Sequence, residues 1–332
     1  VSIRRAHASA PVRIDFAGAW TDVPPFSTRE GGRVIAAALA LHAHVNVLPG
    51  GHGVHLVAED LGATLTLEPD GTRTGEGKVP LLEAAVRRWP PGPATITSRT
   101  DVPHGSGLGS SGACSVATAA ALLHARGERA SPAELAHLAW ELETRDAAIP
   151  GGKQDQYLAA LGGFQDLTFR DPDVGHHPIA VDREFAAELA RSLVLCWTGA
   201  SRLSGSTISR VMQSYERGER SVNAALHGLR AAADAMLLAL AAADLAAVGA
   251  TLDANWRHQQ ELDAGMRTPL MATLEARARA AGAIGAKAAG SGAGGCMVFL
   301  APGREREVAR VLEAEGSSLL PVVWSWEGVR SW

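Results

Sequence analysis

Residues 103–113 read PHGSGLGSSGA and run without a break into SVATAAALLHARG, so a glycine-rich loop must end on the first turn of a helix. The Ala and Leu content and the helical spacing put the start of that helix between Gly109 and Ser111. Glycines let backbone N–H groups approach an anion, and the helix aims the positive end of its dipole at the same spot. The loop therefore reads as a phosphate cradle, with Ser110 and Ser111 placed to face a metal-bound phosphate. It is not a Walker loop: that requires GxxxxGK[ST], and GTRTGEGKV at 71–79, counted from Gly71, has Glu76 where the second glycine belongs.

On either side of the loop the chain changes character. From Arg4 to Leu67 apolar runs alternate with Gly and Pro, which predicts β structure, and VNVLP-GGHG-VHLVAED reads as a hairpin closed by Gly50, Gly51 and Gly53. Downstream, Ser131 as N-cap, Pro132 at the first helical position and Glu134 form a capping box, predicting a helix through Trp140 to about Asp146. Glu141 and Glu143 fall near its end, where the helix dipole disfavours negative charge, so their placement points to a role beyond solubility. A polar, Pro-containing stretch at 170–184 suggests a boundary. Beyond it we expect a strand at Leu193 to Trp197, long helices between about 205 and 282, a strand at Cys296 to Leu300, a helix from Arg304, and a closing strand pair around Val322 to Trp326. Helices interleaved with antiparallel-looking strands indicate an α+β fold.

Composition limits the partners. A net charge of −4 gives no polybasic footprint for nucleic acid, and 46% hydrophobic residues supply a real core, so a globular protein with a small-molecule partner is expected. The three cysteines, Cys114, Cys196 and Cys296, are widely spaced in apolar runs and indicate neither a disulfide framework nor a zinc site. The first residues lack the apolar stretch of a signal peptide. The most membrane-like segment, 231–250, carries Asp234 and Asp244, which argues for an Ala-rich helix away from the bilayer. No membrane partner and a cytoplasmic setting are expected.

The loop at 103–113 resembles the second motif of the GHMP kinases, Pro-x3-Gly-Leu-Gly-Ser-Ser-Ala-Ala, with Gly112 in place of the first Ala. Two further segments agree in order and spacing. PVRIDFAGAWTDVPPF at 11–26 is similar to the family's first motif, and KAAGSGAGGCMVFL at 287–300 to the third, in which Ala293 interrupts the glycine run. A residue with a side chain there would stiffen the loop if the position requires positive φ. The resemblance implies a two-domain fold: an N-terminal lobe like domain 2 of ribosomal protein S5 over residues 1–185, and a ferredoxin-like C-terminal lobe over 186–332. It implies ATP and Mg²⁺ as cofactors, with Pro103, Gly105, Gly107, Leu108, Gly109, Ser110, Ser111 and Gly112 on the nucleotide. Asp155, in GGKQDQYLAALGGF at 151–164, matches the family's catalytic aspartate, Arg13 the basic residue beside it, and Glu143 with Ser111 the magnesium ligands. Whether Asp155 removes a proton or orients the hydroxyl stays open.

Within the family, FAGAWTDVPPF, GGKQDQYLAALGGF and TGASRLS at 198–204 most resemble the bacterial D-glycero-D-manno-heptose 7-phosphate kinases, which phosphorylate an anomeric hydroxyl. That resemblance places Trp20, Thr21, Asp22, Gly152, Lys153, Gln154, Arg202 and Gly292 on the sugar. Lys153 and Arg202 become candidates for a distal phosphate. Ala19 and Trp20 stand where that branch has two glycines, and the indole would narrow the pocket or stack on a sugar face. The alternatives are an L-fucose or other free-sugar 1-kinase, and a non-catalytic sugar or ATP sensor.

Overall fold

The computed structural model describes residues 3–200 and 204–332. In chain order its strands are β1 (Ala6–Ala17), β2 (Gly32–Pro49), β3 (Val54–Ala58), β4 (Ala63–Leu67), β5 (Arg73–Glu76), β6 (Ala94–Thr100), β7 (Phe164–Arg170), β8 (Asp173–Pro178), β9 (Leu193–Trp197), β10 (Gly285–Ala288), β11 (Cys296–Leu300), β12 (Ser318–Leu320) and β13 (Arg330–Ser331). The helices are α1 (Phe26–Glu30), α2 (Pro80–Arg88), α3 (Ser110–Ala125), α4 (Pro132–Glu141), α5 (Gln154–Leu161), α6 (Arg183–Ser192), α7 (Ser204–Glu216), α8 (Arg220–Ala241), α9 (Leu245–Leu262), α10 (Pro269–Ala280) and α11 (Glu305–Ala314). Segregated sheets and helices make this an α+β fold, as expected.

One sheet runs β13-β1-β2-β6-β3-β4-β5, with β7 paired onto β2 and β8 onto β7; the other runs β10-β11-β9-β12. The expected hairpin at Gly50–Gly53 does not form. β6 inserts between β2 and β3, antiparallel to β2 and parallel to β3, so the glycines turn the chain without pairing its two arms. The expected strand pair at 322–326 is also absent. There the chain makes a single bridge, Trp324 to Leu39, while Trp324 packs on Phe16 and Phe164 with ring centroids 6.0 and 4.9 Å away. Its Nε1 donates to the carbonyl of Ala186 at 2.7 Å. Aromatic burial and a short run of backbone bonds to β2, Ala40 N–H to Val323 O at 2.7 Å and Ser325 N–H to Ala38 O at 2.9 Å, hold that segment without a strand pair of its own, and β13 then pairs with β1.

Other local expectations hold. α3 starts at Ser110 and buries 12 of its 16 residues, so it needs small side chains on every face, which its alanines supply. Ser131 and Glu134 form both arms of the capping box on α4. After Glu141 the helix widens into a π-turn, Leu142–Asp146, a distortion that often re-aims a side chain at a functional site. α8 is long and apolar enough to cross a bilayer by length and composition. Here it packs along α9 and β2, and Leu226, Leu229, Ala233 and Met236 lie in the core.

Candidate active site at the head of α3 and α5

β1 supplies the floor of the cleft. Arg13 and Asp15 are two residues apart and so share one face of the strand, and irregularities in the β1–β2 register flank them. Arg13 is buried, with 4% side-chain exposure. Its Nε donates to Asp155 Oδ1 at 2.8 Å, its NH2 lies 2.6 Å from the same oxygen, and its NH1 donates to the carbonyl of Gly107 at 2.6 Å. Burial works against the Arg13 charge, yet Asp155 and Asp15 outweigh it and the guanidinium pKa is raised. Asp155 sits on the first turn of α5 and keeps 28% side-chain exposure, so its carboxylate is both fixed and open.

That contact depends on Gly112. A Cβ there would lie 2.5 Å from Asp155 Cβ, so the glycine lets the first turn of α3 meet the first turn of α5 this closely, and a side chain would force one of them to shift. Gly105, Gly107 and Gly109 of the same loop all have positive φ, and Gly109 leaves the helix N-terminus without a side-chain cap. The first N–H groups of α3 are thus left for a ligand. The third glycine run packs directly on this loop: the N–H of Cys296 donates to Ser106 O at 2.7 Å, and a Cβ on Gly290 would lie 2.5 Å from Gly107 O. Within that run Ala293 has φ +63°, so the position does require the left-handed region. Gly292 backs onto Gln259 and Met266 of the helical layer.

Glu143 reaches the head of α3 from the π-turn. It accepts from Ser111 Oγ at 2.5 Å, Ser115 Oγ at 3.2 Å and Gln156 Nε2 at 2.7 Å. Burial pushes its carboxyl pKa up, and the neighbouring Asp155 adds to the shift. A buried carboxylate surrounded by neutral donors, beside a serine hydroxyl, suits a hard cation that takes one or two protein oxygens and fills its shell with phosphate and water. The residues present therefore fit Mg²⁺. Glu141 has a different fate, taken up by Arg88 and Arg145 at 2.6 Å each.

The sugar-side residues divide. Asp22 is 1% exposed and accepts from the backbone N–H and Nε2 of Gln154 at 3.0 and 3.2 Å. Burial lifts its pKa to about 6. Gly152 lies so close that a Cβ would fall 1.9 Å from Asp22 Oδ2. Thr21 is wholly buried, bonding to Gly18 O at 2.7 Å and bridging to the backbone of Arg33, so its hydroxyl is spent on the turn. Trp20 is 3% exposed and joins an apolar cluster with Phe26, Met212, Tyr215 and Leu226, so its ring has no open face on which a sugar could stack. The indole Nε1 is buried without a partner, and the residue holds φ +81°. Lys153 donates to Asp171 at 2.6 Å and sits 4.5 Å above Trp140. Arg202 lies outside the described residues.

Sequence reasoning passed over Asp15, Ser115, Gln156, Asp171 and Lys287. Asp15 could have been found from its two-residue spacing to Arg13 on a strand. Lys287, whose Nζ contacts Asp15 within the buried interior, lies in the third motif but carries no local pattern that marks it as buried.

A loop built for phosphate, feeding a fixed carboxylate, defines a phosphotransferase that works on an alcohol acceptor. More particularly, the chain belongs to the GHMP kinases, which use ATP as phosphate donor. The model for the GHMP kinases N terminal domain matches residues 79–163 and that for the GHMP kinases C terminal region residues 236–318. The mevalonate kinase of Aeropyrum pernix is 30% identical over 323 residues, 94% of this chain and 92% of the relative. The D-glycero-alpha-D-manno-heptose 7-phosphate kinase of Campylobacter jejuni is 26% identical over 343 residues, 99% of each chain. Among solved structures, a D-glycero-D-manno-heptose 1-phosphate kinase from Bacteriodes thetaiotaomicron superposes with a TM-score of 0.78 at 25% identity, covering 98% of both chains.

Proposed function

We propose that this chain is a sugar kinase that transfers the terminal phosphoryl group of ATP to the anomeric hydroxyl of D-glycero-D-manno-heptose 7-phosphate, giving the 1,7-bisphosphate. The observation that carries the reading is the Asp155 carboxylate, gripped through one oxygen by Arg13 and still open at the mouth of the glycine loop. End-to-end similarity to a heptose 7-phosphate kinase supports the choice of acceptor.

Asp155 accepts the hydrogen of the acceptor hydroxyl and orients its oxygen, and Arg13 fixes the Asp155 carboxylate and steadies negative charge as it develops. The backbone of 103–112, with Ser110, cradles the triphosphate. Ser111 Oγ and Glu143 would hold Mg²⁺, whose chemistry is to spread charge over the phosphoryl oxygens. Asp22 binds sugar hydroxyls, held in place by Gln154 and by the close backbone of Gly152. A cavity of about 380 Å³ lies alongside, walled by Val23, Pro24, Pro25, Trp140, Pro150 and Gly151, a size that suits a small ligand. Arg202 is assigned to the distal phosphate; Lys153 shares that work only by exchanging Asp171 for it. The two lobes divide near residue 185, with acceptor and nucleotide meeting between them.

The test is a panel of heptose 7-phosphate, L-fucose and mevalonate, each with ATP and Mg²⁺, with phosphorus NMR locating the new ester. Turnover of the heptose phosphate with a new signal at C1 is expected. Preference for L-fucose would transfer the assignment to a free-sugar 1-kinase, and turnover of mevalonate alone would end the sugar reading.

A further inference from the structure

One buried ionisable pair has no part in the transfer described above. Lys287 and Asp15 are both 0% exposed, and they stand 272 positions apart on β10 and β1, so their contact ties the second sheet to the first beneath the cleft. Lys287 Nζ donates to Asp15 Oδ2 and, at 2.6 Å, to the carbonyl oxygen of Asp15. The other carboxylate oxygen accepts from the N–H of Gly290 at 2.9 Å and lies 3.5 Å from Arg13 NH1. Asp15 and Asp155 therefore share one guanidinium, and Asp155 holds it at the shorter distance. Burial lowers the Lys287 pKa, so its charge persists there through Asp15.

An ion pair this deep seldom adds net stability over apolar side chains of similar volume, which turns attention to what it positions. We propose that Lys287 is a positioning residue for phosphoryl transfer. By occupying Asp15 from the second sheet it prevents that carboxylate from drawing Arg13 off Asp155, and it anchors the third glycine run at the same node. The inference rests on the roles given above to Arg13 and Asp155. Without Lys287, Asp15 becomes a buried negative charge whose remaining cationic contact is Arg13. A displacement of about 1 Å in the guanidinium is enough to cost about 100-fold in rate.

Lys287→Met and Asp15→Asn break the same ion pair, so both should lower the thermal midpoint. They are expected to part in turnover. Lys287→Met frees the competing carboxylate, so kcat per folded molecule should fall about 100-fold while the KM values for ATP and acceptor change little. Asp15→Asn removes the competitor while its side-chain oxygen still accepts from Gly290; kcat should then stay within about tenfold of wild type. Equal losses in the two variants, or wild-type kcat in Lys287→Met, would overturn the proposal. Should Lys287→Met not fold, Lys287→Gln donates to Asp15 without the charge and is compared with Asp15→Asn in the same way. Failure of the parent reading is separately visible, as wild-type turnover in Asp155→Asn.

Discussion

The head of α5 and the π-turn after α4 each carry a carboxylate to the same cleft, and they hold it in opposite ways. Asp155 is tied to a guanidinium by two contacts on one oxygen and remains 28% exposed. Glu143 is 7% exposed and meets only neutral donors from Ser111, Ser115 and Gln156. A carboxylate gripped by a permanent cation can face an incoming hydroxyl; one buried among neutral donors lacks a counter-charge, which a divalent ion would supply. Under the proposed function this difference in partners would separate positioning of the acceptor hydroxyl from metal holding, although both side chains are carboxylates only twelve residues apart along the chain.

The sharpest way to break this division is Asp155→Asn, which keeps the size of the side chain and removes its charge. Turnover with ATP and acceptor should fall by about 10²–10⁴-fold, the range for loss of a positioned acid or base. Rates equal to wild type would strip Asp155 of its part.

A smaller effect comes from Asp22, which shares Glu143's burial but is held by backbone and amide donors. Its folded pKa of about 6 lies above the ordinary Asp value of 3.8. The folded state therefore keeps a proton that the unfolded chain gives up first, and stability contributed at low pH is lost as pH rises through that window. The span is about 3 kcal/mol at most. Asp22→Asn should flatten the fall in urea midpoint between pH 4 and pH 6.5, leaving a residual slope from Glu143, whose pKa is raised in the same direction. An unchanged slope would place the titration elsewhere.

How much of this was legible depended on range. The start of α3 and the capping box at Ser131 follow from short patterns whose physics is local, a glycine loop, a cap and a dipole, whereas the approach of Asp155 to the loop is implied only by the resemblance to the GHMP kinases. The Gly50–Gly53 turn misled because turn residues state that the chain reverses, not which strand it meets; β6, some forty residues on, takes the place between the two arms. The indole of Trp20 suggests a narrowed pocket or a surface for a sugar, and the sequence near it does not show that α7 and α8, about 200 residues downstream, enclose it. The same distance hid the Asp15–Lys287 pair, since charge in a sequence carries no sign of burial. The expected strand pair at 322–326 also failed, because Trp324 is drawn between Phe16 and Phe164 and the segment makes only a short run of bonds to β2.

The division between the two carboxylates is tested most directly by titrating Mg²⁺ against turnover in wild type, Asp155→Asn and Glu143→Gln at saturating acceptor. The account expects Asp155→Asn to be slow with an unaltered half-saturating metal concentration, and Glu143→Gln to need about 10–100-fold more metal. Equal metal requirements in all three proteins, or a shift in Asp155→Asn as large as that in Glu143→Gln, would contradict it.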